Sequence, residues 1–95
     1  MYQLKWDVIN TEYIRQVIRS SGSVGANYIE ASDDLGKVDE KMRIKISRRE
    51  VKESIHWLDL ILTHGKDDLE KERLELVDEA TQIKKILSAI LNKLN

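Results

Sequence analysis

The chain is predicted to fold as an all-α, antiparallel up-and-down bundle with three long helices. Three observations carry that expectation. Apolar residues recur at alternating intervals of three and four over most of the sequence. No proline occurs in the 95 residues, so nothing forces a long helix to break. No stretch alternates apolar and polar side chains as a half-buried strand would, and there are no internal repeats or low-complexity tracts.

The last helix is the clearest. Leu76, Ala80, Ile83, Leu87, Ile90 and Leu94 make its apolar seam. Asp67 followed by Glu70 reads as a capping-box-like start after Gly65, and the acidic first turn complements the helix dipole. These signals place a helix over about 67–94. The middle helix, about 37–64, carries Ile44, Val51, Ile55, Leu58 and Leu62 on one stripe. Met42, Ile46, Trp57, Leu60 and Ile61 lie beside that stripe, so more than half the circumference is apolar and needs more than one neighbour. Trp57 reads as a core anchor, and His64 as a cation in the last turn.

Upstream, Ile14, Val17, Ser21, Val24, Tyr28, Ala31 and Leu35 keep the same spacing, which places the first helix over about 11–34 or from nearer Asp7. Residues 1–10 form a lead-in, and the whole chain of 1–95 is one domain. The seam crosses the stretch RSSGSVGAN without a phase break. That stretch lacks the lysine of a GxxxxGK[ST] phosphate loop and the spacing of GxGxxG. Each glycine inside a helix costs roughly 1 kcal/mol relative to alanine. Gly22 and Gly25 are therefore expected to lie at a helix contact, where small residues let a neighbouring backbone come close.

Composition narrows the function classes. Hydrophobic residues are 41% and charged residues 35%, which suits a compact domain rather than a disordered or membrane-spanning chain. There is no cysteine, so disulfides and thiolate chemistry are excluded. The start MYQLKWDVIN has no signal-peptide apolar run, and the cytoplasm is the expected location. A net charge of −1 by itself recommends no polyanionic partner.

QVIRSSGSVGANYIEAS followed by MRIKISRREVKESIHWLDLI resembles the signature of the bacterial four-helix-bundle family related to the rRNA intervening-sequence proteins. The likeness runs over roughly residues 14 to 94. It implies an up-and-down bundle, homopentameric assembly and no assigned activity. It also implies a distant likeness to the accessory protein of diversity-generating retroelements, which binds a reverse transcriptase and nucleic acid. Members carry a full helix before the one holding RSSGSVGAN, and ten residues are too few to supply it. The chain is therefore expected to present the last three helices of four, either because its start is a fragment or a misplaced initiation, or with other subunits covering what the first would cover.

Catalytic signals are sparse. His56 and His64 lie eight apart with no HExxH or other ligand spacing, and no serine sits in a nucleophile elbow. No enzyme activity, metal or cofactor is expected. Two constellations remain. Gln16, Ser20, Ser23, Asn27 and Glu30 form a polar strip on the first helix, and Ser47, Glu50 and Ser54 interrupt the apolar surface of the second. They read as a hydrogen-bonded layer that sets register or subunit pairing, or as a small binding groove. Glu50 needs a partner in either case, with Arg43, Arg19, Ser20 and Asn27 as candidates.

Lys41, Lys45, Arg48, Arg49 and Lys52, with Lys37 before them, gather on the front half of the middle helix. Lys84, Lys85 and Lys93 return to the same end, with Glu30, Asp33, Asp34, Asp39 and Glu40 nearby. A solvated, salt-bridged face is one reading. Phosphate contact with nucleic acid, multiplied by oligomerisation, is the other. The function expected from all this is a non-enzymatic, oligomeric assembly or adaptor module, with a nucleic-acid-binding accessory subunit as the alternative.

Overall fold

The computed structural model describes residues 7–33 and 36–94. The predicted lead-in residues 1–6, together with Asp34 and the seam residue Leu35, lie outside them. Within the described residues the chain is all-α: α1 Val8–Ser32, α2 Lys37–Leu60 and α3 Asp67–Leu94.

Each boundary has a local cause. Asp7 caps α1, its carboxylate accepting from the Asn10 backbone N–H at 2.7 Å. Gly36 sits before α2 at φ 92, a conformation few side chains tolerate, and Asp39 and Glu40 follow in the first turn. Gly65 turns the chain into α3 at φ 74. Asp67 is the first residue of α3 rather than its cap, and the Glu70 carboxylate is taken by Thr63 and Arg73 instead of closing a capping box.

The middle helix stops at Leu60, one turn short of the predicted residue 64. The reason lies far away in sequence. Asn10, with no exposed surface, donates from Nδ2 to the Leu62 carbonyl and accepts at Oδ1 from the Leu62 N–H, each at 2.8 Å. Those backbone groups would otherwise belong to another helical turn. His64 is therefore not a last-turn cation. It sits in the connecting turn at φ 54, its Nε2 3.1 Å from Asp7 Oδ2.

α2 is the hub. α1 and α3 both pack on it, and among the described residues no α1 Cα lies within 8 Å of an α3 Cα. One core cluster holds Ala31, Ile44, Val51, Leu87 and Leu91, and the other holds Leu58, Ile61 and Leu69. Of the second apolar group predicted on α2, only Ile61 is buried. Trp57 is half-buried against Tyr13, with ring centroids 6.1 Å apart, and Met42 is 58% exposed. Among the described residues, two helices, α1 and α3, cover α2.

Candidate functional site

The seam between α1 and α2 is built from small polar residues. Ser20 and Ser47 have no exposed surface and Ser54 has little. The Ser20 and Ser54 hydroxyls lie 2.7 Å apart, so one donates to the other, and the one that accepts gives its own hydrogen to its helix, Ser20 to the Gln16 carbonyl or Ser54 to that of Glu50. Ser47 reaches across to the Val24 carbonyl at 2.8 Å. Every hydroxyl is satisfied within or between the two helices, so the layer adds register without stranding a polar group. The predicted polar layer thus forms around Ser20, Ser47 and Ser54. Ser23 and Asn27 bond locally, and the Asn27 Oδ1 accepts from Arg43 at 3.1 Å. Glu30 does not join; it lies exposed on the outer side of α1.

Glu50 is nearly buried at 9% and pairs with Arg19 at 3.4 Å, while Arg43 goes to Asn27. The Arg19 guanidinium also bonds Glu53. Glu53 first, and then the charge of Glu50, hold Arg19 protonated above its ordinary range. The pair ties α1 to α2 along their seam.

Small residues do let α1 and α2 approach, but they are the serines. Gly22 and Gly25 lie inside continuous helix, as the seam predicted, yet they do not line a contact within the chain. Both are exposed, and a methyl group added at either would meet nothing within 4 Å beyond the adjacent backbone of its own helix. The seam residue Ser21 faces the core side, and the glycines fall further round the helix, on the outer side.

Beside this seam, α1 and α3 form the walls of an open apolar groove of about 310 Å³. Its floor is Val51, Ser54 and Leu58. Val17, Ser21 and Val24 make one wall, and Leu76, Ala80 and Ile83 the other, with Glu79 at the rim. Beyond the rims Ile18 is 67% exposed and Ile86 59%. No sequence reasoning about single helices located this groove, because it depends on α1 and α3 standing apart.

The basic residues form a stripe on the convex side of α2, opposite the groove. Lys45, Arg49 and Lys52 are exposed, and Lys41 is half-buried. Arg48 donates to the Ser88 hydroxyl at 3.3 Å, which brings the Lys84 end of α3 beside the stripe. Among the described residues, Lys41, Lys45, Arg49 and Lys52 bond no carboxylate. Arg15, Arg19 and Arg73 all do.

Among the described residues no group of His, Cys, Asp and Glu could hold a metal ion, and no helix is long and apolar enough to cross a membrane. Compared with protein-family models, curated proteins and solved structures, the chain matches none.

Proposed function

We propose that this chain is a non-enzymatic assembly or adaptor module that completes its bundle with a helix from another subunit. The open groove between α1 and α3 carries the reading. Soluble proteins rarely leave a contiguous apolar surface of this kind uncovered. Here Val51, Leu58 and Leu76 line it, and a second, smaller pocket lined by Tyr28, Ile44 and Ile90 lies further along the same helices. The exposed Ile18, Ile29, Ile83 and Ile86 flank it. A homo-oligomer in the cytoplasm is the setting this reading assumes, and a closed pentamer is the assembly that the four-helix-bundle resemblance implies. Analytical ultracentrifugation at micromolar concentration tests it. A mass above that of one chain supports the reading, and a stable monomer refutes it.

A second reading rests on a separate observation, the stripe of Lys41, Lys45, Arg49 and Lys52 that bonds no carboxylate. Such a stripe suits a phosphate backbone, so the module serves as a nucleic-acid-binding accessory subunit. Each phosphate contact would steepen the salt dependence, by about 0.9 in the slope of log K against log salt for duplex DNA. Fluorescence anisotropy with labelled duplex and single-stranded oligonucleotides tests this. Lys45→Glu with Arg49→Glu should abolish binding, and salt-independent binding would exclude phosphate contact.

A further inference from the structure

The groove and the outer side of α1 are complementary. We propose that two copies of the chain pair about a two-fold axis, α1 of each lying in the groove of the other. This rests on the assembly reading above and names its partner.

At 3.6 residues per turn, α1 carries three faces in succession. Ser20, Val24 and Ala31 meet α2 or its core, and Val17 and Ser21 line the groove. Ile18, Gly22, Gly25 and Ile29 form a third face that nothing among the described residues covers, with Ile18 67% and Ile29 64% exposed. A helix packed on one side only does not need this third face. A helix shared between two bundles does.

A two-fold axis running along the helices beside Ser21 turns that third face onto the partner's α3 without shifting its height. The heights are set within the chain. Ser20 bonds Ser54 across α1 and α2, and Arg48 bonds Ser88 across α2 and α3. Counting along the helices from these links puts Gly22 about level with Ile83, and Gly25 about level with Ile86. Ile83 and Ile86 stand proud of the α3 wall, 45% and 59% exposed. The missing side chains of the two glycines leave room for them, since beyond the helix's own adjacent backbone nothing lies within 4 Å of a Cβ at either position. The helix cost of two glycines then has an intermolecular cause.

Charge follows the same register. Arg15, whose side chain is 70% exposed, falls level with Glu75 and Glu79 of the partner's α3. At the other end Glu30 falls level with the partner's Lys93. Among the described residues Glu75, Glu79, Glu30 and Lys93 have no bonded partner within the chain. An isologous pairing makes each contact twice, so the acidic and basic rims match on both sides of the axis.

The chain has no cysteine, so single thiols can report the axis. Ser21→Cys places one beside it, and mild oxidation should give a covalent dimer, because a disulfide needs Cα atoms about 4.4–6.8 Å apart. Arg49→Cys, on the convex side of α2, should give none. Sedimentation should read twice the 11.1 kDa chain mass. Gly22→Gln should keep the helix, because its side chain meets open space within the chain, yet weaken the dimer at least tenfold. Arg15→Glu and a Glu75→Arg, Glu79→Arg double variant should each weaken self-association, and mixing the two should restore it.

A monomer in every arm would overturn this pairing together with the assembly reading. A ring of five, or a dimer cross-linked through Arg49→Cys but not Ser21→Cys, would overturn the pairing alone.

Discussion

Asn10 holds Leu62 by both of its backbone groups, donating to the carbonyl and accepting from the N–H at 2.8 Å each, across 52 positions of sequence. This pair ties the start of α1 to the turn between α2 and α3. Replacing Asn10 with Ala leaves two backbone groups unsatisfied beside the lower core, a cost of about 2–4 kcal/mol. Chemical denaturation should show a large loss for Asn10→Ala. It should also show a loss for Asn10→Asp, which keeps the acceptor but removes the donor. An unchanged midpoint in both would mean that the clamp contributes nothing.

The clamp also marks where sequence reasoning stopped. Helical period located three helices, because each buries an apolar stripe on a neighbour and that stripe is written at intervals of three and four. It located Ser20 and Ser54 as a polar layer and included Arg19 among the partners of Glu50. It missed Asn10, which is polar, lies in the first turn of α1 and acts on backbone 52 positions away. For the same reason it carried α2 past Leu60. It placed Gly22 and Gly25 at a helix contact without saying whose helix, because composition identifies a thin helix surface but not what faces it. The groove was legible only as an over-apolar α2, since its walls belong to α1 and α3.

The clamp on the α1–α2 seam should respond unequally to its two halves. Removing Glu50 leaves Arg19 half-exposed and still bonded to Glu53, so Glu50→Ala should cost about 1 kcal/mol. Removing Arg19 strands a carboxylate that is only 9% exposed, so Arg19→Ala should cost more than Glu50→Ala. The double variant should cost less than the sum of the two. Equal single losses that add would show that the pair does not interact.

The glycines should separate by backbone rather than by packing. Gly65 occupies φ 74, where an L side chain is strained, so Gly65→Ala should destabilise by about 1–2 kcal/mol. Gly25 lies in regular helix with open space at its Cβ, so Gly25→Ala should stabilise the isolated chain by up to about 1 kcal/mol. Thermal unfolding at concentrations low enough to keep the chain monomeric makes the comparison. Greater damage from Gly25→Ala than from Gly65→Ala would place a contact at Gly25 within the chain.

The start of α3 should carry an acid-sensitive part of the stability. The Glu70 carboxylate accepts from Arg73, and the Thr63 hydroxyl donates to it at 3.1 Å. Arg73 is 13% exposed, reaches the Leu58 carbonyl at 3.5 Å, and pairs with Asp59 as well. The Arg73 bond first, and then that from Thr63, hold the Glu70 carboxyl below the ordinary glutamate range. The folded chain therefore favours the ionised form more than the unfolded chain does. Its contribution is complete above the ordinary glutamate value and is lost as pH falls through the lowered one. Asp7 behaves alike, held down by the Asn10 N–H first and then by His64, so both ends of the α2–α3 turn weaken together in acid. Urea midpoints measured from pH 7 down to pH 3 should fall for the parent chain. They should fall less steeply for Glu70→Gln, which is less stable at pH 7 but has no charge to lose. Parallel curves for the two proteins would remove Glu70 from the acid response.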